Sequence, residues 1–79
     1  MRVFEEEKIK AIYCNKCGRK IKVENGIVKE GILSVDKRWD YFSEKDGVKH
    51  SFDLCEECYN RITEKFKYPV EETEYSELI

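Results

Sequence analysis

At 79 residues the chain has room for one domain, and charged and hydrophobic residues each make up 41% of it. So little apolar material leaves a marginal core that needs an added staple, and the four cysteines are the candidates. A net charge of −2 is too small to imply a partner by itself, and no apolar run is long enough for a membrane span.

The N-terminal run Met1-Arg2-Val3-Phe4-Glu5-Glu6-Glu7-Lys8 contains no apolar stretch, which predicts neither a signal peptide nor a membrane anchor. The expected location is therefore cytoplasmic, where thiols stay reduced and paired cysteines point to metal. A disulfide pairing would require export, for which the sequence shows no route.

From Lys8 to Lys22 the chain carries Lys8, Lys10, Lys16, Arg19, Lys20 and Lys22 and no acidic residue. Such a stretch either neutralises nearby thiolates or meets phosphate. Neutralisation is the reading we favour, because Ile9, Ala11 and Ile21 alternate with the lysines as on the solvated face of a strand. Within this stretch lies Cys14-Asn15-Lys16-Cys17-Gly18-Arg19. Two residues between the cysteines let both sulfurs reach one ion, and Gly18 permits the left-handed turn that wraps backbone around it.

Asn25-Gly26 stands between Arg19–Val23 and Ile27–Lys29, a hairpin signal because both positions tolerate positive φ. After Gly31, a second hairpin is predicted with Arg38–Phe42 and Val48–Phe52 as arms and Ser43–Gly47 as its loop. A helix follows, with Asp53 as N-cap, Glu56 completing a capping box, and Glu57 also in the first turn. Lys65 and Lys67 fall in its last turn, and Pro69 ends it near Lys67. Cys55, Cys58, Ile62 and Phe66 recur at spacings that give one buried stripe. The expected domain covers residues 1–69. An acidic tail, 70–79, follows, with Glu71, Glu72, Glu74 and Glu77 among Val70, Tyr75, Leu78 and Ile79.

Zinc takes four tetrahedral ligands in structural sites, with thiolate among the commonest. Cys14, Cys17, Cys55 and Cys58 supply four, so one structural Zn²⁺ per chain is expected, and a closed set leaves no position for catalysis. Cys55 and Cys58 sit three apart in a helix's first turn, where the helix dipole favours thiolate. Binding free energy at such sites, on the order of 10–16 kcal/mol in finger peptides, is folding free energy.

A cysteine knuckle, a hairpin, and a helix that donates the second pair resemble the treble-clef zinc fingers. The likeness rests on Cys14-Asn15-Lys16-Cys17-Gly18, on Arg38–Phe52 and on Asp53-Leu54-Cys55-Glu56-Glu57-Cys58. It implies an α+β fold with two β-hairpins and one C-terminal helix. The stretch between the pairs exceeds the roughly 15–20 residues of common sites, and the first hairpin with Gly31–Val35 absorbs the excess. A zinc ribbon would place Gly after the second pair, where Tyr59 stands. The sequence also resembles small bacterial proteins with a shared DLCEECY…F…PV ending, a likeness that implies no activity.

His50 reads as an ordinary strand histidine, since the four-cysteine set is complete. Trp39, Tyr41, Phe42 and Phe52 are candidates for a base-stacking platform, but a domain this small is expected to spend them on its core. The expected function is an interaction module that binds another protein or a second copy of itself. Nucleic-acid binding through the basic knuckle Lys8–Lys22 is the alternative. A rubredoxin-like iron protein ranks third, because Cys55–Cys58 lacks the trailing Gly.

Overall fold

The structure, a computed structural model, describes residues 1–75. It is α+β, with strands β1 (Arg2–Glu5), β2 (Lys8–Tyr13), β3 (Lys20–Ile21), β4 (Val23–Glu24), β5 (Ile27–Val28), β6 (Ile32–Arg38) and β7 (Lys49–Cys55) and the helix α1 (Glu56–Thr63). The strands form an antiparallel sheet in the order β1-β2-β3 and two separate hairpins, β4-β5 and β6-β7.

Turn chemistry explains the two short hairpins. Asn25 and Gly26 both take positive φ, 52° and 77°, as the Asn-Gly signal predicts. The β1-β2 hairpin was not signalled, because its turn is Glu6-Glu7, at φ 50° and 69°, where sequence offers neither Gly nor Asn. On its other edge β2 pairs with β3, where Ile12 and Ile21 are fully buried as a cross-strand pair, while β1 stays exposed.

The second hairpin lies further from its turn than expected. Its arms are Ile32–Arg38 and Lys49–Cys55, paired Leu33↔Leu54 and Val35↔Phe52, so register follows the aliphatic positions. Of the expected arm Arg38–Phe42 only Arg38 lies in β6; Trp39–Phe42 belong to a loop, closed by Trp39 N–H to Val48 O (3.0 Å) and Val48 N–H to Lys45 O (2.9 Å). The strand propensity of Trp39-Asp40-Tyr41-Phe42 was misleading here. Tyr41 and Phe42 are 80% and 94% exposed, which overturns their assignment to the core.

The helix is shorter than expected and is capped differently. Its N-cap is Cys55, with no side-chain cap bond, while Asp53 is buried within β7. Glu56 and Glu57 do occupy the first turn, but Arg61, bonded to Glu57 at 2.6 Å, is the basic residue of the last. Beyond Thr63 the amides of Lys65 and Phe66 bond only three residues back, so the chain tightens and leaves the helix before Lys65 and Lys67. Of the predicted stripe only Cys55 and Cys58 are buried; Ile62 and Phe66 stay exposed on one side.

The core gathers Ile12, Ile21 and Leu54 around Cys14, Cys55 and Cys58, with Ile9, Val23, Val28, Ile32, Leu33 and Phe52 packed against it. Half of its buried members are cysteines, so the core is organised around sulfur. No helix among the described residues is long and apolar enough to cross a membrane. The tail from Val70 to Tyr75 is exposed, and Glu77, Leu78 and Ile79 of the expected acidic tail lie outside the described residues.

Candidate metal centre

Each cysteine pair is placed by its own backbone device. Cys14 follows the end of β2, and its N–H donates to Arg19 O at 2.9 Å while the Gly18 N–H returns to Cys14 O at 2.9 Å. Gly18 takes φ +80°, the left-handed turn expected of it, and the loop closes around Cys14 and Cys17. Cys55 ends β7 and caps α1, and Cys58 lies in the first helical turn, so strand and helix converge on the second pair.

The structure brings all four predicted ligands together. Their sulfurs lie within 4.8 Å of one another. Cys17 Sγ and Cys55 Sγ, from opposite pairs, are 3.8 Å apart. A tetrahedron of sulfurs about 2.3 Å from a central ion has edges of about 3.8 Å, so the cluster is the right size for one tetrathiolate ion. Cys14, Cys55 and Cys58 are buried, while Cys17 is exposed at the rim.

Local electrostatics prepare some of the sulfurs for ionisation. Burial opposes charge on Cys14, but amides of Cys17, Cys55 and Lys16 aimed at its sulfur outweigh that and bring it to about 6. At Cys55 the Cys58 amide is the chief cause of a lowered value, opposed by burial. Burial and the neighbouring sulfurs push Cys58 up to about 12. Four thiolates therefore need a cation among them, and metal binding is coupled to proton release.

Arg19 is the basic-stretch cation that acts on a sulfur, helping to lower the pKa of Cys55. Glu30 holds it at 2.5 Å and also accepts the Lys22 amide at 2.6 Å. The Arg19 hydrogen bond, helped by the Lys22 amide, draws the Glu30 carboxylate below its usual range. Lys10 and Lys22 instead pair with Glu5 and Glu24 on the surface.

Behind the cluster, Asp53 and Asn15 clamp the knuckle to β7. Asn15 N–H donates to Asp53 O at 2.8 Å, and Asp53 N–H donates to Asn15 Oδ1 at 2.9 Å. The Asp53 carboxylate accepts from Arg2 Nη2 (3.1 Å), Ser34 Oγ (2.8 Å) and the Met1 amine (3.0 Å). Burial resists its ionisation, yet these donors hold its pKa below the ordinary carboxylate value. Asp53 was legible as a key residue near Cys55 but not for this role, since only the fold reveals that Arg2 and Ser34 reach it.

His50 lies opposite Lys37 toward the far end of the β6-β7 hairpin and accepts a 3.2 Å bond from Trp39 Nε1. It is not among the clustered groups. Searched against protein-family models, curated proteins and solved structures, the chain matches none.

Proposed function

We propose that the chain is a structural zinc protein, one Zn²⁺ held by Cys14, Cys17, Cys55 and Cys58, whose folded surface serves as an interaction module. The observation carrying this reading is the single cluster of four sulfurs at tetrahedral spacing, three of them buried at the centre of the core. We read the fold as treble-clef-like because a cysteine knuckle, a hairpin and a helix start come in that order along the chain. When bound, the ion supplies the cross-link that a core of this size lacks. With all four positions taken by sulfur it offers no open coordination site, so the reading is non-catalytic. A reducing compartment such as the cytoplasm suits four free thiols.

Iron in the same tetrathiolate would be redox-active, and its bond lengths fit the same cluster. Colour and elemental analysis of the purified chain separate the two metals. Zinc with a colourless protein supports the structural reading, and red, iron-loaded protein replaces it with electron transfer. Nucleic-acid binding through the basic knuckle is disfavoured, since Arg19, Lys10 and Lys22 are engaged by Glu30, Glu5 and Glu24.

A further inference from the structure

The four cysteines do not meet solvent alike. Cys14, Cys55 and Cys58 are 2%, 1% and 2% exposed, while Cys17, in the turn of the knuckle, lies open at the rim. Metal ligation keeps a sulfur deprotonated, and a thiolate within reach of solvent is the one an oxidant meets first. Cys17 is therefore the point at which a small oxidant enters the cluster.

The fold also sets the sulfur that answers. Cys17 Sγ stands 3.8 Å from Cys55 Sγ, about 1.8 Å further than a disulfide bond. Two residues before each of them, Asn15 and Asp53 exchange the hydrogen bonds that clamp the knuckle to β7, at 2.8 and 2.9 Å. Neither bond involves a sulfur or an ion. The approach of Cys17 to Cys55 is thus held by the chain itself as well as by shared ligation. A bond between Cys14 and Cys17 would instead close within the knuckle, where the clamp gives no help.

We infer that Cys17 is an oxidation site for hydrogen peroxide and that Cys55 resolves it, closing a Cys17–Cys55 disulfide that releases the metal. In the first step the Cys17 thiolate attacks one peroxide oxygen. An S–O bond forms, the O–O bond breaks and hydroxide leaves, so sulfur gives up two electrons and peroxide takes them. In the second step the Cys55 thiolate attacks the sulfenic sulfur. The S–S bond forms, the S–O bond breaks and a second hydroxide leaves. Zinc has no redox chemistry of its own, so both electrons come from sulfur. Cys14 and Cys58 are then the two ligands left where four held the ion, and it is lost. A reducing thiol opens the disulfide and restores all four ligands.

This inference deepens the metal reading and rests on it, adding regulation of the same site. Zinc and free thiols are counted before any oxidant is added, which checks the metal reading on its own. Hydrogen peroxide should then lower the free thiols from four to two per chain, and zinc should reach a chromogenic chelator on the same time course. Peptide mapping should place the disulfide at Cys17–Cys55. Dimedone present during oxidation should mark Cys17 and spare the three buried cysteines. Dithiothreitol with added zinc should restore the starting counts. Every readout uses the wild-type chain, so no ligand variant that fails to fold enters the test. Dimedone on a buried cysteine ahead of Cys17, a disulfide within either CxxC pair, or zinc retained while thiols are lost overturns the inference. A chain that carries no zinc before oxidation overturns the metal reading, and the switch with it.

Discussion

The two ends of the β6-β7 hairpin are held by different physics. At the Leu33–Leu54 end, buried sulfurs, the paired Asn15–Asp53 hydrogen bonds and the Asp53 carboxylate fix the chain from several directions. At the Trp39–Val48 end, turn hydrogen bonds and two lysines over the Trp39 ring, at 5.4 and 4.9 Å, hold a loop whose aromatics face water. In a chain so poor in apolar residues, stability concentrates where the ligands are. The distal loop contributes little to it, which leaves its side chains available for contact.

Changes at the metal end test this contrast most severely. Replacing any one of Cys14, Cys17, Cys55 or Cys58 by Ser should abolish cooperative folding, because metal binding and folding are one equilibrium. Circular dichroism with and without a strong chelator checks it: the wild type should unfold on chelation, and the variants should be unfolded at the outset.

Next in size is Asp53→Ala, which leaves Arg2 and Ser34 without their acceptor. A loss of about 2 kcal/mol is expected in the denaturant midpoint, and Ser34→Ala should recover part of it in the double variant. An N-cap role would show no such coupling to Ser34.

Arg19→Met removes the cation beside Cys55 and frees Glu30. Metal content should persist, but transfer of the ion to a competing chelator should run several-fold faster, read by stopped-flow absorbance. Unchanged transfer would mean that Arg19 only solvates the surface.

The smallest effects belong to the distal end. His50→Ala and Tyr41→Ser should shift stability by no more than about 0.5 kcal/mol and leave metal content as it is. Loss of metal in the His50 variant would move the site and dissolve the contrast between the two ends.

The metal cluster was legible because its signal is short-range. Each CxxC pair positions its own sulfurs, through Gly18 in one case and a helix start in the other, and the Asn25-Gly26 turn was equally local. What the sequence concealed was long-range or competitive. Asp53 carries the features of an N-cap, yet Arg2 and Ser34, remote in sequence, engage its buried carboxylate within β7. Trp39-Asp40-Tyr41-Phe42 reads as strand by propensity, but the aliphatic pairing of Leu33 with Leu54 decides the register and leaves those aromatics beyond it. The Glu6-Glu7 turn has no turn-forming residue, so nothing local in the sequence marks the β1-β2 hairpin.

The account stands most directly on metal stoichiometry. The chain should be purified under reducing conditions without chelator and analysed for metal alongside protein concentration and free thiols. One zinc per chain, with all four thiols recovered once the metal is removed, is the predicted result. Mostly iron, or no metal together with two intact disulfides, would contradict it.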